Sequence, residues 1–140
     1  MISSKRSASI LRIRRLEEAL AKMEWARTQR AVLQAENELE GAQGVLSEAT
    51  WETETLTANE VQYLAASHKG GHQRVVRLGE HLGECQQEEL VEREIWQGTK
   101  QRHEGVERLH DKAVITEEAE RLLGEQNLMD DVTSARFNRR

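Results

Sequence analysis

The chain has no proline in 140 residues. Proline removes an amide donor and clashes with the preceding turn, so it breaks helices, and folds rich in turns accumulate it. A chain this long without one can run as helix through almost every position. Composition agrees: Ala, Glu, Lys, Leu and Arg supply 71 of the 140 residues, the share typical of long helices and coiled coils. Leu, Ile, Val and Phe number 30, and there are five aromatics, too few for a compact two-layer core. No run of β-branched residues alternates long enough to make a strand. The length suits a single domain, residues 1–140.

The strongest punctuation lies at the midpoint, Ser67-His68-Lys69-Gly70-Gly71-His72. A Gly-Gly pair among polar residues predicts a turn near residues 67–72, because glycine accepts positive φ without steric cost. The flanking arms, about 6–66 and 73–133, are nearly equal in length, with a basic tail over 134–140. The expected fold is all-α: a long antiparallel two-helix coiled-coil hairpin. In the first arm Val32, Leu39 and Leu46 repeat at seven, as do Ala35, Ala42, Ala49, Leu56 and Tyr63, which is an a/d seam. Ile13, Leu16, Leu20 and Met23 form a second 3-4-3 run whose register does not join the first, so a stutter is expected over 24–31. The second arm is less regular: Val75, Leu78, Leu82 and Cys85 open a seam, Val106, Leu109 and Ala113 resume it, and Ile115, Ala119, Leu122 and Met129 close it. Folding about Gly70-Gly71 pairs residue i with 140 − i, which sets Trp96 over Gly44 and Trp25 near Ile115. Close packing is one account of Gly41, Gly44 and Gly98, and simple loosening of the helix is the other.

Charge is unevenly spread. Residues 1–30 carry eight bases and three acids, residues 31–66 carry seven glutamates and no base, and the whole chain is at −5. In the expected register the basic first turns face the acidic 100–131 stretch. The end with both termini then gathers Arg12, Arg14, Arg15, Arg136, Arg139 and Arg140. The single cysteine, Cys85, rules out an internal disulfide and fits a reducing cytosol. The first residues lack the apolar stretch of a signal peptide, and no segment reaches the ~18 apolar residues of a membrane span. A cytoplasmic chain with no direct membrane insertion is the expectation.

Chemistry-bearing constellations are sparse. His68 and His72 are four apart and His103 and His110 seven apart, but zinc needs three or four ligands and a supporting shell. Solvated histidines and no metal are expected. A nucleophile, base and orienting group need a dry pocket that two helices do not enclose, so no catalytic residues and no cofactor are expected, and no enzyme. The basic Arg12–Arg30 stretch could neutralise phosphates, yet Glu17, Glu18 and Glu24 interrupt it and the chain is acidic, so nucleic acid is not an expected partner. Two aromatics stand apart. Trp51 falls off the seam, either as a ring covering a small-residue gap or as a docking anchor. Phe137, the only phenylalanine, sits among Arg136, Asn138, Arg139 and Arg140.

The run Glu118-Ala119-Glu120-Arg121-Leu122-Leu123-Gly124-Glu125-Gln126-Asn127-Leu128-Met129-Asp130-Asp131, followed by Ala135-Arg136-Phe137, resembles the close of FliJ-type flagellar export proteins. The stretch from Leu16-Glu17-Glu18-Ala19 to Ala31, then Gln34-Ala35-Glu36 and Leu39, is similar in pattern as well. Where that family often has Asp-Glu, this chain has Asp130-Asp131. The resemblance implies a non-enzymatic stalk and escort protein, as also in the YscO-like proteins of injectisomes. Such proteins insert the end bearing both termini into the hexameric export ATPase, touch the cytoplasmic domain of the export gate, and recycle export chaperones. It implies a cytoplasmic chain held peripherally at the inner-membrane export apparatus. Met129, Asp130, Asp131, Arg136 and Phe137 carry the resemblance and are the expected ATPase contacts. The hairpin geometry adds Arg12, Arg14 and Arg15, and Trp51 is a candidate for the gate or a chaperone. A stalk should be a monomer. The rival reading, a generic structural coiled coil that self-associates through its polar seams, should be a dimer or larger.

Overall fold

The computed structural model describes residues 2–48 and 56–139. Two helices account for nearly all of them: α1 (Ser4–Glu48) and α2 (Ala58–Asn138). They pack against each other as an all-α helical hairpin, as the sequence predicts, but the chain reverses elsewhere. Gly70 and Gly71 lie inside α2, and no described glycine has positive φ. The described part of α1 closes at Glu48, and α2 opens at Ala58, well before the glycine pair.

The start of α2 shows why. Thr57 Oγ1 accepts from the Glu60 amide at 3.3 Å, and the Glu60 carboxylate accepts from the Thr57 amide at 3.0 Å. This reciprocal capping box satisfies two amides that a helix start leaves without partners. No comparable cap exists at Gly70-Gly71, and a glycine inside a helix costs only about 1 kcal/mol relative to alanine. Gly71 also admits a neighbour, since a methyl there would meet Leu46 Cδ1 at 3.2 Å. At the other helix start, Ser3 Oγ accepts from the Arg6 amide at 3.3 Å.

The chain divides into two compact units. Unit 1 joins residues Met1–Leu20 with Gln97–Arg140. Its helices are tied by polar contacts. The Ser4 amide donates to Glu117 Oε1 at 2.6 Å and the Ser4 hydroxyl donates to Glu117 Oε2. Ser7 Oγ meets His110 Nδ1 at 2.8 Å, and His103 Nδ1 pairs with Glu18. Unit 2 spans Ala21–Trp96. There Trp25 stacks on Trp96 with ring centroids 4.8 Å apart, and Trp25 Nε1 donates to Glu89 at 2.8 Å. Within each unit residue i lies across from about residue 120 − i, not 140 − i. Trp96 therefore faces Trp25 and not Gly44. Gly41 and Gly44 have open space where a Cβ would stand, and Gly98 has only the tip of Arg102 at 4.0 Å, so close packing is not their role.

The inward face of α1 keeps unbroken 3-4 spacing: Ser4, Ser7, Leu11, Arg14, Glu18, Ala21, Trp25, Thr28, Val32, Ala35, Leu39, Ala42 and Leu46 are all buried or half-buried. There is no stutter over 24–31. The expected run Ile13, Leu16, Leu20 and Met23 lies on the outer face, 55–66 % exposed. The true seam before Ala35 is largely polar, so a search for apolar repeats finds the wrong face. In α2 the seam is equally regular, with Val75, Leu78, Leu82, Cys85, Glu89, Trp96, His103, Val106, His110 and Ala113 inward. His103 and His110, read as solvated, sit half-buried on it, while Leu109, Ile115, Ala119, Leu122, Met129 and Tyr63 are exposed.

Candidate functional site

The shifted register changes what unit 1 presents. Because Ser4 meets Glu117, α2 continues past the beginning of α1 as an overhang. Every described residue from 117 to 139 is exposed. At 1.5 Å per residue, Phe137 lies about 30 Å along α2 from Glu117. Helix persists there because the segment supplies its own support: Arg121 Nη2 donates to Glu118 at 2.6 Å, and Arg121 Nη1 donates to Glu125. Such i,i+3 and i,i+4 pairs stabilise a solvated helix by a few tenths of a kcal/mol. Arg121 holds Glu118 below the usual carboxylate range through its hydrogen bond and charge.

The residues singled out from the sequence all fall in unit 1 except Trp51, which lies outside the described residues. Met129, Asp130, Asp131, Arg136 and Phe137 line the overhang, with Met129 70 % and Phe137 81 % exposed. No ion pair takes Asp130, Asp131 or Arg136 among the described residues. Arg12 and Arg15 are exposed on α1, whereas Arg14 turns toward the seam and donates to Glu17 at 2.9 Å. The expected cluster of Arg12, Arg14 and Arg15 with Arg136 and Arg139 does not form. Arg12 lies about two turns inside α1, and Arg136 lies some five turns beyond Glu117. The basic first turns face only the first half of the expected 100–131 stretch. They face residues 103–117, and the acidic run 117–131 projects past them.

What fixes this arrangement is polar. Hydrogen bonds from the Ser4 hydroxyl and then the Ser4 amide hold Glu117 below the usual carboxylate range. The same carboxylate serves the first amide of α1, where a helix start favours negative charge. In unit 2 the Trp25 indole, then Arg93, hold Glu89 below that range. Sequence reasoning missed these pairs because each joins one seam residue to a polar residue more than sixty positions away. It also missed a groove of about 730 Å³ in unit 2, lined by Ala42, Val45, Leu46, Leu64, Gly70 and Gly71 among others. The signal was present: glycines at 41, 70 and 71 thin both walls.

No group of three or more metal-ligating side chains occurs among the described residues, and no described helix is long and apolar enough to cross a membrane. Against known proteins, the family model described as Flagellar FliJ protein matches residues 4–140. The chain belongs to the FliJ family. The match takes in both helices from the first residue of α1, and with them the overhang. No curated protein and no solved structure matches the chain. Membership makes this FliJ-family chain a component of flagellar protein export.

Proposed function

We propose that this FliJ-family protein is the stalk and escort component of its export apparatus. In this reading the overhang enters the ring of the export ATPase, while surfaces elsewhere on the chain meet the cytoplasmic domain of the export gate and the export chaperones. The observation that supports it most is the overhang itself, a helix of more than twenty residues with every side chain turned to solvent. Helices stand free in this way at a cost in unburied apolar area, and Leu122, Leu128, Met129 and Phe137 are all more than half exposed. Met129 and Phe137 would supply apolar anchors, Asp130 and Asp131 would pair with bases of the ring, and Arg136 would pair with an acid. Arg12 and Arg15 would meet a second, more proximal part of the ring. Arg14 has a structural role beside Glu17 and is the weakest member of the set. The apolar groove in unit 2 is one candidate surface for the gate or a chaperone, and Trp51, outside the described residues, is the other. A cytoplasmic chain, held at the membrane only through its partners, completes the reading.

The test is a pull-down followed by a binding and ATPase titration with the purified export ATPase. Asp130→Ala with Asp131→Ala, or deletion of 132–140, should weaken ATPase binding about tenfold, the loss of one or two anchor contacts. Far-UV circular dichroism should change little, since the described residues among these are all exposed. Unchanged binding by both variants would remove the overhang from the interface and the proposal with it.

A further inference from the structure

Unit 1 carries two outward faces that complement each other and cannot meet within one molecule. On α1, Arg6, Ser9, Ile13, Leu16 and Leu20 follow 3-4 spacing on the side away from α2, edged by Lys5 and Arg12. Ile13, Leu16 and Leu20 are each more than half exposed. Residues 2–16 contain five bases and no acid. On the overhang, Ile115, Glu118, Leu122, Glu125, Met129 and Val132 follow the same spacing, also away from the seam. Residues 117–131 hold six carboxylates against one arginine. Arg121 is shared between Glu118 and Glu125, so Glu120, Asp130 and Asp131 stay without an ion pair among the described residues. Lys5, Arg6, Arg12 and Arg15 likewise make none there. The register explains the separation: Ser4 is pinned to Glu117, so the acidic run begins beside the first residue of α1 and runs on past it.

We propose that the acidic overhang of one copy docks on the basic outer face of α1 in a second copy. Matching 3-4 spacing lets the two apolar stripes interdigitate as a second seam. The opposite charges at the edges set the pairing and speed the encounter. The two patches are different surfaces, so the contact is head-to-tail, and each added copy leaves one patch of each kind open. This is distinct from self-association through the inward seams, which α1 and α2 already occupy. It also covers the surfaces that the stalk reading gives to the ATPase, so the two associations compete.

Sedimentation velocity and light scattering on the full chain test this, from about 10 µM to about 1 mM. The average mass should climb with concentration at low salt and return toward the monomer as salt shortens the screening length from about 30 Å to about 3 Å. Arg6→Glu with Arg12→Glu, and separately Glu118→Lys with Glu125→Lys, should each weaken association at least about tenfold, because like charges then meet. Mixing the two variants should restore it, since each then offers what the other lacks. Leu16→Ser, a change on a solvated face, should weaken it with either charge pattern, and circular dichroism should show each variant folded. A constant monomer mass at low salt would overturn the proposal. So would association by either charge-reversed variant alone at wild-type strength, or a mixture no more associated than its parts.

Discussion

The stacked pair Trp25–Trp96 permits a decisive test of register. If the chain reversed at Gly70-Gly71, Trp96 would lie opposite residue 44, nineteen residues from Trp25 and so about 28 Å away along the helix. In the structure the rings are 4.8 Å apart and 21° from parallel. Fully burying and then truncating a tryptophan costs about 3–5 kcal/mol. Both rings are half-buried, so each single change to alanine should cost roughly half of that, about 2 kcal/mol. Their coupling is the sharper quantity. Aromatic pairs in such geometry interact by about 0.5–1.5 kcal/mol beyond the area they bury, so the double-mutant cycle should return a coupling of about 1 kcal/mol. Residues that do not touch add within about 0.3–0.5 kcal/mol. The assay is urea unfolding followed by circular dichroism, with Trp25→Ala, Trp96→Ala and the double variant. With a slope near 2 kcal/mol/M, each single change should lower the midpoint by about 1 M. Additive costs within error would refute the stacking and the register together. Trp25→Phe, which keeps a ring but drops the donor to Glu89, should preserve most of the coupling.

Three further outcomes follow from the same contacts. Thr57→Ala removes one half of the capping box and should cost about 1 kcal/mol of helix stability, with amide exchange rising over the first turn of α2. Gly70→Ala should stabilise the chain by up to about 1 kcal/mol in thermal unfolding, because the added methyl meets only open space inside a helix. At a true turn the same change would destabilise. Glu117 and Glu89 are held below the usual range when folded. Their contribution is therefore complete above the unfolded glutamate pKa near 4.3 and is lost as pH falls through the lowered folded values. Stability should drop on acidification below about pH 4.5, and Glu117→Gln should lie lower at neutral pH with a shallower acid slope.

The helical hairpin was legible in the missing proline and in the 3-4 recurrence of Val32, Ala35, Leu39, Ala42 and Leu46, because those positions are both apolar and inward. The point of reversal was not. Gly70-Gly71 is a stronger turn signal than Thr57-Ala58-Asn59-Glu60 when each is weighed alone, but a capping box satisfies amides that glycine leaves bare. Nor was the seam before Ala35 visible: Ser4, Ser7, Glu18, His103 and His110 pack through hydrogen bonds, and polar residues at a and d do not stand out from a polar surface. Phe137 was legible as a residue beyond the hairpin core, and it is 81 % exposed, as the terminal acidic pair is also exposed. Their separation from Arg12 and Arg15 was hidden, because it follows from a register that a pairwise polar contact sets.

A seam of this kind explains why the outer faces carry so much of the apolar inventory. Leu-on-Leu contacts would hold α1 and α2 more tightly, yet equivalent leucines tolerate a slip of one heptad, since each still meets another leucine. The Ser4–Glu117 pair does not tolerate it, because the carboxylate serves both the hydroxyl and the first amide of α1. After a seven-residue slip Ser4 would stand across from Gly124 and lose both of its bonds, while Ser7 would meet Glu117 and Glu18 would meet His110. A single buried polar position is known to fix register in coiled coils at some cost in stability, and unit 1 uses several in succession. Register here is what determines how far α2 extends beyond α1: one heptad would add or remove about 10 Å of overhang. If the overhang is the partner surface, as proposed, a fixed length matters more than a tighter core, and Ile13, Leu16, Leu20 and Leu122 stay exposed on the outer faces.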